Sequence, residues 1–482
     1  MNKLILSRSR SGQISMMLIA MLALVTSCKK GFLEQTNPQT VGFEHVTDLK
    51  SLNAATIGVY SKFKQANYYN GAFTIIPELI GDNAFISIRN GGRYTNHDNF
   101  TVTNGDGYVT GAWGLMWEVI VNANQAIHRG SQIEFRGSDV ATANQLLGEL
   151  YSCRALAYFD LVRFFAQPYN FTPDAGHLGV PLVTDPPERI ISPSRSSVAE
   201  VYDQIISDLQ TAEGLLLPAR KDGFFDLHAA RALLAKVYLY KEDWQNAITY
   251  ATKVIDESPY TLLTNANYVA SWEQKFSSES LFEVANTPTS NSGVNSIGYL
   301  TEQGAYGELL ATQDLYDTYS ATDVRRQLIQ PGSRPNGESN AYFIKKYPRG
   351  AATRDDNIKV LRLSEVYLIR AEAYAELSKL NPSYTTQAVE DLHTIMKRAD
   401  PSAADIMITG QDLVDRVILE RRKELAFEGN RLFDINRKKM DLIHIETDRT
   451  RVFTYPNNRF IMPIPYSERN ANKNIEPNPG WN

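Results

Sequence analysis

The stretch of sequence that decides the fold is RALLAKVYLYKEDWQNAITYATKVIDESPY, residues 231–260. Small or apolar side chains recur along it at the spacing of one helix face, in two runs that a proline follows: Leu234, Ala235, Tyr238, Ala247, Ala251, Val254 and then Pro259. These spacings match a helix pair of the 34-residue tetratricopeptide type. Two alanines, Ala235 and Ala247, let antiparallel helices approach closely, while the larger Tyr238 fills the remaining space. The stretch therefore predicts a two-helix hairpin.

The opening of this hairpin recurs twice elsewhere in the chain, as RALAY at residues 154–158 and as RAEAY at residues 370–374. After the second copy the helical spacing continues at Ala388, Leu392 and Ile395. After the first copy, a Pro-rich segment precedes a helix predicted at residues 198–216, with Ser197 as its N-cap. One hairpin cannot bury its apolar face alone, so several have to stack. We therefore predict a mostly α fold, in which tetratricopeptide-like helical hairpins form a scaffold with long inserted loops.

Four long segments interrupt the helical pattern. They span residues 68–111, 167–197, 286–306 and 330–357, and apart from the Pro-rich second one they are rich in Gly, Asn, Ser and Tyr. Loops of this length in a compact domain are usually functional or disordered, and their aromatic residues argue against disorder. We therefore expect the function of the protein to depend on the inserted loops.

The first residues predict where the protein is located. Three basic residues within the first ten precede an apolar run over residues 14–25, and small residues then lead to Cys28. This is the layout of a secretory signal peptide, and the run is shorter than the roughly 20 apolar residues that a membrane-spanning helix needs. VTSC at residues 25–28 resembles a bacterial lipobox, whose cysteine receives the acyl chains that anchor a protein to a membrane. We predict a lipoprotein signal peptide over residues 1–27, lipidation of Cys28, and a tether over residues 28–48.

Composition argues against several other classes of protein. The chain has 482 residues, 43% of them hydrophobic and 21% charged, which suits a large folded body. A formal net charge of −5 and the lack of a basic stripe argue against a nucleic-acid partner. The seven histidines are scattered, and the sequence has no phosphate-binding loop or nucleophile elbow, so we expect no metal and no cofactor. The oxygen-rich segment NGDG at residues 104–107 lacks the spacing of an EF-hand, and a calcium ion there stays an alternative. The second cysteine, Cys153, lies in a helical pattern and is predicted to be a small core residue.

An ordered set of motifs extends over nearly the whole chain. After the VTSC motif come KKGFLEQTNP, WGLMWEVIVNANQAI (residues 113–127), GELYSCRALAYFDLVRFF (148–165) and GVPLV (179–183). TDVRRQ (322–327), KKYP (345–348) and VLRLSEVYLIRAEAYAEL (360–377) follow them. The most specific motifs come last, namely ILERRKELAFEGNRLFDINR (418–437) and FIMPIPYSERNANKNIEPNPGW (460–481). In this order the motifs resemble those of the SusD/RagB family of surface lipoproteins.

The resemblance implies a mostly helical, non-catalytic protein with a looped ligand-binding part. Members of that family capture a nutrient at the outer membrane, commonly an oligosaccharide and sometimes a peptide, for a SusC-like TonB-dependent barrel that imports it. By this resemblance the chain divides into an N-terminal region with loop insertions (49–217), a tetratricopeptide-like hairpin (218–285) and a C-terminal region (286–482). We expect a lipid-anchored protein that faces the cell exterior. That orientation depends more on the resemblance than on these residues, because Lys29 and Lys30 follow the lipidated cysteine and the first acidic residue is Glu34.

The motif ERRKELAFEGNR at residues 420–431 has an alternative interpretation as an active site. Glu420, Glu424 and Glu428 are four residues apart, so they share one helix face. Paired carboxylates act as acid and base only where one has a raised pKa and faces a substrate cleft. Because arginines surround these glutamates in the sequence, we predict ion pairs that join helices instead.

Candidate ligand-binding residues follow from the chemistry of a sugar. An aromatic ring packs against the C–H face of a sugar, and Asn, Asp and Arg side chains hydrogen-bond its hydroxyl groups. In the inserted loops we predict ligand contacts from Tyr68, Tyr69, Asn70, Arg89, Tyr94, Asn96, Asp98, Tyr299 and Tyr306, with Asn295 and Phe343 as further candidates. Trp113 and Trp117 lie in a helical motif and are predicted to be core residues.

Three alternatives stay open at this point. Several of the tyrosines could pack the loops on the scaffold and bind nothing. A peptide ligand would fit the arginines of the same segments, which are Arg89, Arg93, Arg325 and Arg326. Tetratricopeptide hairpins also commonly bind protein segments, so the protein could be a docking scaffold without a small ligand.

Overall fold

The predicted scaffold of helical hairpins is present in the protein. The computed structural model describes residues 45–187, 189, 191–445 and 449–481. The predicted signal peptide, Cys28 and residues 29–44 of the predicted tether lie outside the described residues. None of the helices within the described ranges is long and apolar enough to span a bilayer. The division of the chain into regions at residues 49, 218 and 286 stays a prediction.

Helices follow one another along most of the described chain. They are α1 (Leu49–Phe63), α2 (Ala72–Ile80), α3 (Thr95–Asp98), α4 (Gly107–Gly130), α5 (Asp139–Phe165), α6 (Val198–Leu215), α7 (Leu227–Tyr240), α8 (Trp244–Glu257), α9 (Asn265–Tyr268), α10 (Ile297–Thr301), α11 (Gln313–Asp317), α12 (Leu363–Ser378), α13 (Thr385–Ala399), α14 (Gly410–Glu424), α15 (Arg431–Arg437) and α16 (Tyr466–Ala471). The fold is therefore mostly α, as the sequence predicts.

The hairpins pack as the sequence predicts. In the pair α7–α8, Ala235 and Ala247 are fully buried, and the rings of Tyr238 and Tyr250 stack with their centroids 5.5 Å apart. The helices α12, α13 and α14 share an apolar core that includes Ala371, Ala375, Ala388, Leu392, Ile395 and Val417. Each large apolar side chain buried there stabilises the fold by roughly 1.5–3 kcal/mol.

The first hairpin, α5–α6, is interrupted by the Pro-rich segment. Arg154 on α5 pairs with Asp208 on α6 at 2.6 Å, so the two helices meet although the segment separates them in sequence. The predicted N-cap of α6 is confirmed. The Ser197 hydroxyl oxygen accepts from the backbone N–H of Glu200 at 3.2 Å, and the Glu200 carboxylate accepts from the backbone N–H of Ser197 at 2.8 Å.

Short strands lie between the helices. They are β1 (Ala84–Ile86), β2 (Ser280–Val284), β3 (Leu309–Ala311), β4 (Ile329–Gly332), β5 (Ala341–Ile344), β6 (Ile358–Arg362), β7 (Leu442–Ile445) and β8 (Thr450–Phe453). One sheet has the order β1-β3-β5-β4, with Phe85 opposite Leu310 and Leu310 opposite Phe343, and β2–β6 and β7–β8 form separate pairs. All of these pairings are antiparallel.

The inserted loops are more ordered than the sequence predicts. Residues 68–111 were expected to be a polar loop, but they contain β1 and the helix α2, whose residues are all buried. The carboxylate of Glu78 on α2 accepts backbone N–H groups from Phe427 at 2.9 Å and Gly429 at 2.8 Å. The start of this insertion is therefore fixed against the turn that follows α14.

Candidate functional site

Two of the inserted loops meet, and backbone contacts hold them together. The Ile297 N–H donates to the carbonyl oxygen of Asn70 at 2.7 Å. A Cβ atom on Gly71 would collide with the Ala66 carbonyl oxygen and would lie 2.8 Å from that of Asn295. Only glycine therefore permits this close approach of the two loops.

The side chain of Asn70 strengthens the same junction. It exchanges two amide hydrogen bonds with Asn286, each of 2.8 Å, and it donates to the Lys64 carbonyl oxygen at 2.6 Å. Asn286 in turn donates to the Asp356 carbonyl oxygen at 2.8 Å. Asn70 is 1% exposed, so this predicted ligand contact instead joins three inserted segments.

A cleft of about 230 Å³ opens at this junction. Its walls are Ala66, Asn67, Ile75, Arg93, Tyr94, Tyr108, Val294, Asn295, Ser296 and Leu300. Apolar side chains and tyrosine rings therefore stand beside an amide pair, a hydroxyl and a guanidinium group, which is the mixed lining that small polar ligands need.

Aromatic rings continue from the cleft along the neighbouring surface. The rings of Tyr94 and Tyr108 stack with centroids 4.0 Å apart. The Arg93 guanidinium lies 3.6 Å from the centroid of the Tyr306 ring, and Tyr299 meets Tyr306 edge to face at 4.7 Å. Tyr108, Tyr299 and Tyr306 keep part of their surface exposed, so a ligand can reach them.

An ion pair fixes the guanidinium at the centre of this group. Arg93 Nη1 lies 2.9 Å from Glu308 Oε1, which also accepts the Gly91 N–H at 3.0 Å. Glu308 Oε2 is buried and has no hydrogen-bond partner among the described residues. Burial raises the pKa of the Tyr108 hydroxyl, and the positive charge of Arg93 opposes that shift.

His97 packs behind the stacked tyrosines. Its ring centroid is 5.9 Å from those of Tyr94 and Tyr108, and its Nε2 lies 3.5 Å from Asp106 Oδ1. Asp106 also caps α4 by accepting the Tyr108 and Val109 N–H groups at 2.9 and 3.0 Å. Burial lowers the pKa of His97 to about 4, although Asp106 opposes the shift. The imidazole is therefore neutral at neutral pH and supports the aromatic pair by packing.

The structure brings together Tyr94, Tyr299 and Tyr306 from the predicted set, along with Asn295. It places Tyr68 and Tyr69 elsewhere, stacked on each other in the core. Both hydroxyl groups donate to Asp160 Oδ2, each at 2.7 Å. Because these two rings offer no surface to a ligand, we exclude Tyr68 and Tyr69, together with Asn70, from the candidate site.

The other predicted residues lie near the site or apart from it. Arg89 is exposed and donates to the Pro335 carbonyl oxygen at 3.3 Å, and Asn96 is exposed on α3. Asp98 is buried, and its carboxylate accepts the Ile86 N–H at 3.2 Å. Phe343 packs in the sheet that contains β5. Trp113 is a core residue as predicted, whereas Trp117 is partly exposed.

Sequence reasoning missed Tyr108 and Glu308. Tyr108 lies in the Gly-rich inserted segment at residues 68–111, two residues after the N-cap of α4. Because it is an aromatic residue of that segment, it could have been predicted as a ligand contact by the same reasoning as Tyr94. Glu308 precedes a three-residue strand, and only the folded arrangement brings it to Arg93.

The motif at residues 420–431 forms the predicted ion pairs. Glu424 contacts Arg398 at 2.6 Å, Arg362 at 3.0 Å and Arg325 at 3.0 Å. Burial by itself raises the pKa of Glu424, but the three guanidinium groups outweigh burial and hold it well below its ordinary value. An acid so strongly ionised cannot donate a proton to a substrate. Arg325 is buried in these pairs, so it is not available to a peptide.

The side chains that could hold a metal ion are dispersed over the described residues. Within the described ranges, His, Cys, Asp and Glu side chains form no group of three that could hold a metal ion. The oxygen-rich segment at residues 104–107 serves as a helix cap through Asp106.

Comparison with known proteins gives consistent matches. A family model described as the SusD family matches residues 323–481, and one described as "Starch-binding associating with outer membrane" matches residues 31–239. SusD-like protein P2 of Formosa agariphila is 28% identical over 482 aligned residues, covering 89% of this chain and 92% of that protein. The crystal structure of a SusD superfamily protein from Bacteroides vulgatus is 30% identical, covers 90% of this chain and 100% of its own, and superposes with a TM-score of 0.82. The starch-binding protein SusD of Bacteroides thetaiotaomicron is 30% identical over 135 residues, which are 26% of this chain and 22% of that protein.

Proposed function

The chain belongs to the SusD family, and from this premise we propose that it is a surface lipoprotein that binds an extracellular oligosaccharide or polysaccharide. It binds the glycan in the cleft between residues 93–108 and 294–306, does not cleave it, and delivers it to a SusC-like TonB-dependent transporter. Lipidated Cys28 anchors it to the outer membrane with the cleft outside the cell.

One observation carries the proposal of a sugar ligand. Two loops that are about two hundred residues apart in sequence converge so that the stacked pair Tyr94–Tyr108 stands beside Arg93 and Asn295. Tyrosine rings offer an apolar face for the C–H groups of a sugar, and the amide and guanidinium groups offer hydrogen-bond partners for its hydroxyl groups. The starch-binding descriptions of one matching family model and one relative agree with this chemistry.

The location at the outer membrane has two supports. The matching family model over residues 31–239 describes association with the outer membrane. The sequence before it has the layout of a lipoprotein signal that ends at Cys28. Several acyl chains on one cysteine hold a folded body at a membrane surface, because each buried methylene contributes about 0.8 kcal/mol.

A ligand-binding experiment tests the first part of the proposal. The full lipidated chain in detergent is applied to a glycan array, and the strongest ligand is titrated by calorimetry. We expect Tyr108→Ala to weaken binding about tenfold, the effect of losing roughly 1.4 kcal/mol of ring contact. Tyr384→Ala is the matched control, because that partly exposed ring stacks only within the hairpin α12–α13, on Tyr374.

The same samples distinguish binding from turnover. Mass spectrometry of the ligand after prolonged incubation is expected to recover it intact. Binding to no glycan on the array would contradict the proposal, as would shortened products formed by the purified chain. A peptide mixture screened in parallel tests the peptide alternative, which would replace the glycan if only peptides bound.

Purification of the protein from its native outer membrane tests the second part. We expect a large TonB-dependent barrel to copurify in near-equal amount. Recovery of the protein alone would contradict delivery to a transporter. Recovery with a barrel, but without affinity for any glycan or peptide, would favour the docking-scaffold alternative.

A further inference from the structure

Arg354 contacts the tyrosines next to the cleft, and it forms no ion pair within the described ranges. Its guanidinium is 5.2 Å from the centroid of the Tyr299 ring, and its Nε is buried without a hydrogen-bond partner among the described residues. The neighbouring carboxylates have other partners: Asp355 pairs with Lys275 at 2.6 Å, and Asp356 accepts the Arg349 N–H at 3.0 Å. A buried N–H group left unpaired costs free energy that a bound acceptor would recover.

The backbone at Arg354 is also unusual. Its φ angle is +59°, in the left-handed region that a long side chain seldom adopts. The neighbouring turn packs closely, because a Cβ on Gly350 would collide with the backbone carbonyl of Gly298, at the start of α10. The turn that carries Arg354 is therefore packed directly against the start of α10, the helix that contains Tyr299.

Two further arginines lie close together on the other side of the turn at residues 299–308. A Cβ on Gly337 would be 2.9 Å from Arg334 Cβ and 3.4 Å from Arg89 Cβ, so both side chains leave the backbone at one place. Arg334 Nη1 donates to Gln303 Oε1, on the turn itself, at 3.5 Å. Burial lowers the pKa of Arg334, and Arg89 lowers it further, while Glu338 opposes both. Adjacent like charges of this kind favour a bound anion.

Positive charge is in excess around this turn. Four arginines border it: Arg89, Arg93, Arg334 and Arg354. The carboxylates beside them are Glu308, which pairs with Arg93, and Glu338, which is 4.0 Å from Arg334. Asp355 and Asp356 follow Arg354 directly, and the positive charges of Lys275, 2.6 Å from Asp355, and Arg349, 3.9 Å from Asp355, offset them. Glu302 on the turn is offset by Lys345 at 3.9 Å. The whole chain has a net charge of −5, so this local excess does not follow from overall composition.

We infer that the ligand is an acidic oligosaccharide, whose carboxylate or sulfate groups bind to Arg354 and Arg93 while its sugar rings pack against Tyr299 and Tyr306. The inference rests on the proposed function and names its ligand class. The planar guanidinium group matches the two oxygens of a carboxylate or sulfate with parallel N–H groups. A neutral glycan could offer Arg354 hydroxyl acceptors but no negative charge to balance the guanidinium.

The experiment uses the full lipidated chain in detergent and matched pairs of probes. One pair is an oligogalacturonate and its carboxyl-reduced form, and the other is a sulfated galactan oligosaccharide and its desulfated form. We expect one acidic probe to bind at least about tenfold more tightly than its neutral counterpart, as expected for one charge-assisted contact. Raising the salt concentration from about 50 to about 500 mM is expected to weaken binding of the acidic probe, because salt screens the charge interaction, and to leave binding of the neutral probe unchanged.

Variants locate the contact. Arg354→Gln is expected to reduce the ratio of acidic-probe affinity to neutral-probe affinity to nearly one. Arg354→Lys keeps the charge without the planar fork and is expected to give an intermediate preference. Arg136→Gln is the control, because that exposed arginine pairs only with Glu134, at 2.9 Å, on another part of the chain.

Different results of these experiments would overturn the acidic ligand, the proposed function or the role of Arg354. Equal or tighter binding of the neutral probes would overturn the acidic ligand and leave the proposed function in place. Binding of none of these probes by a chain that binds a neutral glycan on the array would overturn the inference alone, whereas binding to no glycan on the array would overturn the proposed function itself. Tighter binding of polyglutamate than of any glycan would overturn the inference in favour of an acidic peptide. Unchanged preference in a folded Arg354→Gln variant would overturn the assignment of this residue.

Discussion

The side chain of Asn70 holds three inserted segments together through buried amide hydrogen bonds. Its replacement by alanine leaves the Asn286 amide and the Lys64 carbonyl oxygen without these partners. A buried group left unsatisfied costs about 1–3 kcal/mol, so we expect Asn70→Ala to lower the free energy of unfolding by that amount. Urea denaturation measures the loss. Hydrogen exchange of the Ile297 amide, which donates to the Asn70 carbonyl, is expected to become faster in the variant.

Asn53→Ala provides the control for this prediction, because Asn53 is exposed on α1. We expect it to change the stability by less than about 0.5 kcal/mol. If Asn70→Ala were as stable as that control and still lost ligand affinity, Asn70 would be a ligand contact after all.

A substitution of Glu424 tests whether the charged motif at residues 420–431 stabilises the fold or forms an active site. It is fully buried and contacts Arg325, Arg362 and Arg398, so Glu424→Gln would leave three buried cations short of one negative charge. Removal of one partner from a buried ion pair typically costs about 3–5 kcal/mol, and we expect a loss of stability on that scale. Urea denaturation of the purified variant measures it.

A surface ion pair gives the comparison for Glu424. Glu118 pairs with Lys62 at 2.6 Å, but its side chain is 52% exposed. Such pairs contribute about 0–1 kcal/mol, so Glu118→Gln is expected to change little. A Glu424→Gln variant as stable as the wild type, but lacking a hydrolytic activity that the wild type has, would support the alternative of an active site.

The hairpin α7–α8 depends on the small size of its facing residues. Ala235 is fully buried in α7, and Ala247 is fully buried in α8. A larger side chain at this position forces helices apart, and overpacking a core typically costs about 1–3 kcal/mol. We therefore expect Ala235→Leu to lower the thermal midpoint measured by circular dichroism at 222 nm. Ala54→Leu, at an exposed position of α1, is the control and is expected to leave the midpoint unchanged.

The hairpins could be predicted from the sequence because their signals are local. Ser197 caps the helix that follows it directly, and the alanines of α7 and α8 recur at helical spacing. The helix α2 gave no such signal, since it is buried on every side and therefore has no polar face, and Pro77 interrupts it. Tyr68 looked like a ligand contact because its partner, Asp160, is 92 residues away in sequence.

The sequence predicts which types of residue form the candidate site, but it predicts only some of the individual residues. Tyr94, Tyr299 and Tyr306 lie in long insertions, and the insertions of this scaffold do converge. What local sequence does not reveal is which side chains of an insertion face inward. That choice depends on non-local hydrogen bonds, such as those of Asn70 with Asn286.

Across the whole molecule, buried ionisable groups make stability depend on pH. Burial raises the pKa of Asp82, but Arg431 and Arg422 outweigh burial and bring it to about 2. The pKa of Glu424 is also lowered, by Arg398 and its neighbours against the effect of burial. Carboxylates of this kind stabilise the folded state above their ordinary pKa of about 4. Their contribution is lost as the pH falls from about 4 towards 2.

His97 affects the free energy of unfolding at higher pH than these carboxylates do. An unfolded chain binds a proton at this residue near the ordinary value of 6.5, whereas burial keeps the folded imidazole neutral down to about 4. The unfolded state therefore binds more protons between these values, and the free energy of unfolding falls as the pH falls through them. Burial also lowers the pKa values of His177 and His228, which act in the same direction, whereas burial raises the pKa of Asp356 to about 6, which acts against them. We expect His97 to contribute to a first decline of stability between about pH 6.5 and 4, and the carboxylates with lowered pKa values to cause a second below about pH 4.

Urea denaturation at a series of pH values separates the two declines. In His97→Phe the first decline is expected to become shallower while the second stays, because phenylalanine keeps the packing against Tyr94 and Tyr108 and removes the titrating group. Because the folded imidazole stays neutral down to about pH 4, His97 is expected to leave the ligand affinity of the folded wild type unchanged in this upper range and to affect it only near pH 4. An unchanged first decline in His97→Phe would show that another group causes it, and burial of a neutral imidazole behind Tyr94 and Tyr108 would then not be the source of the pH dependence.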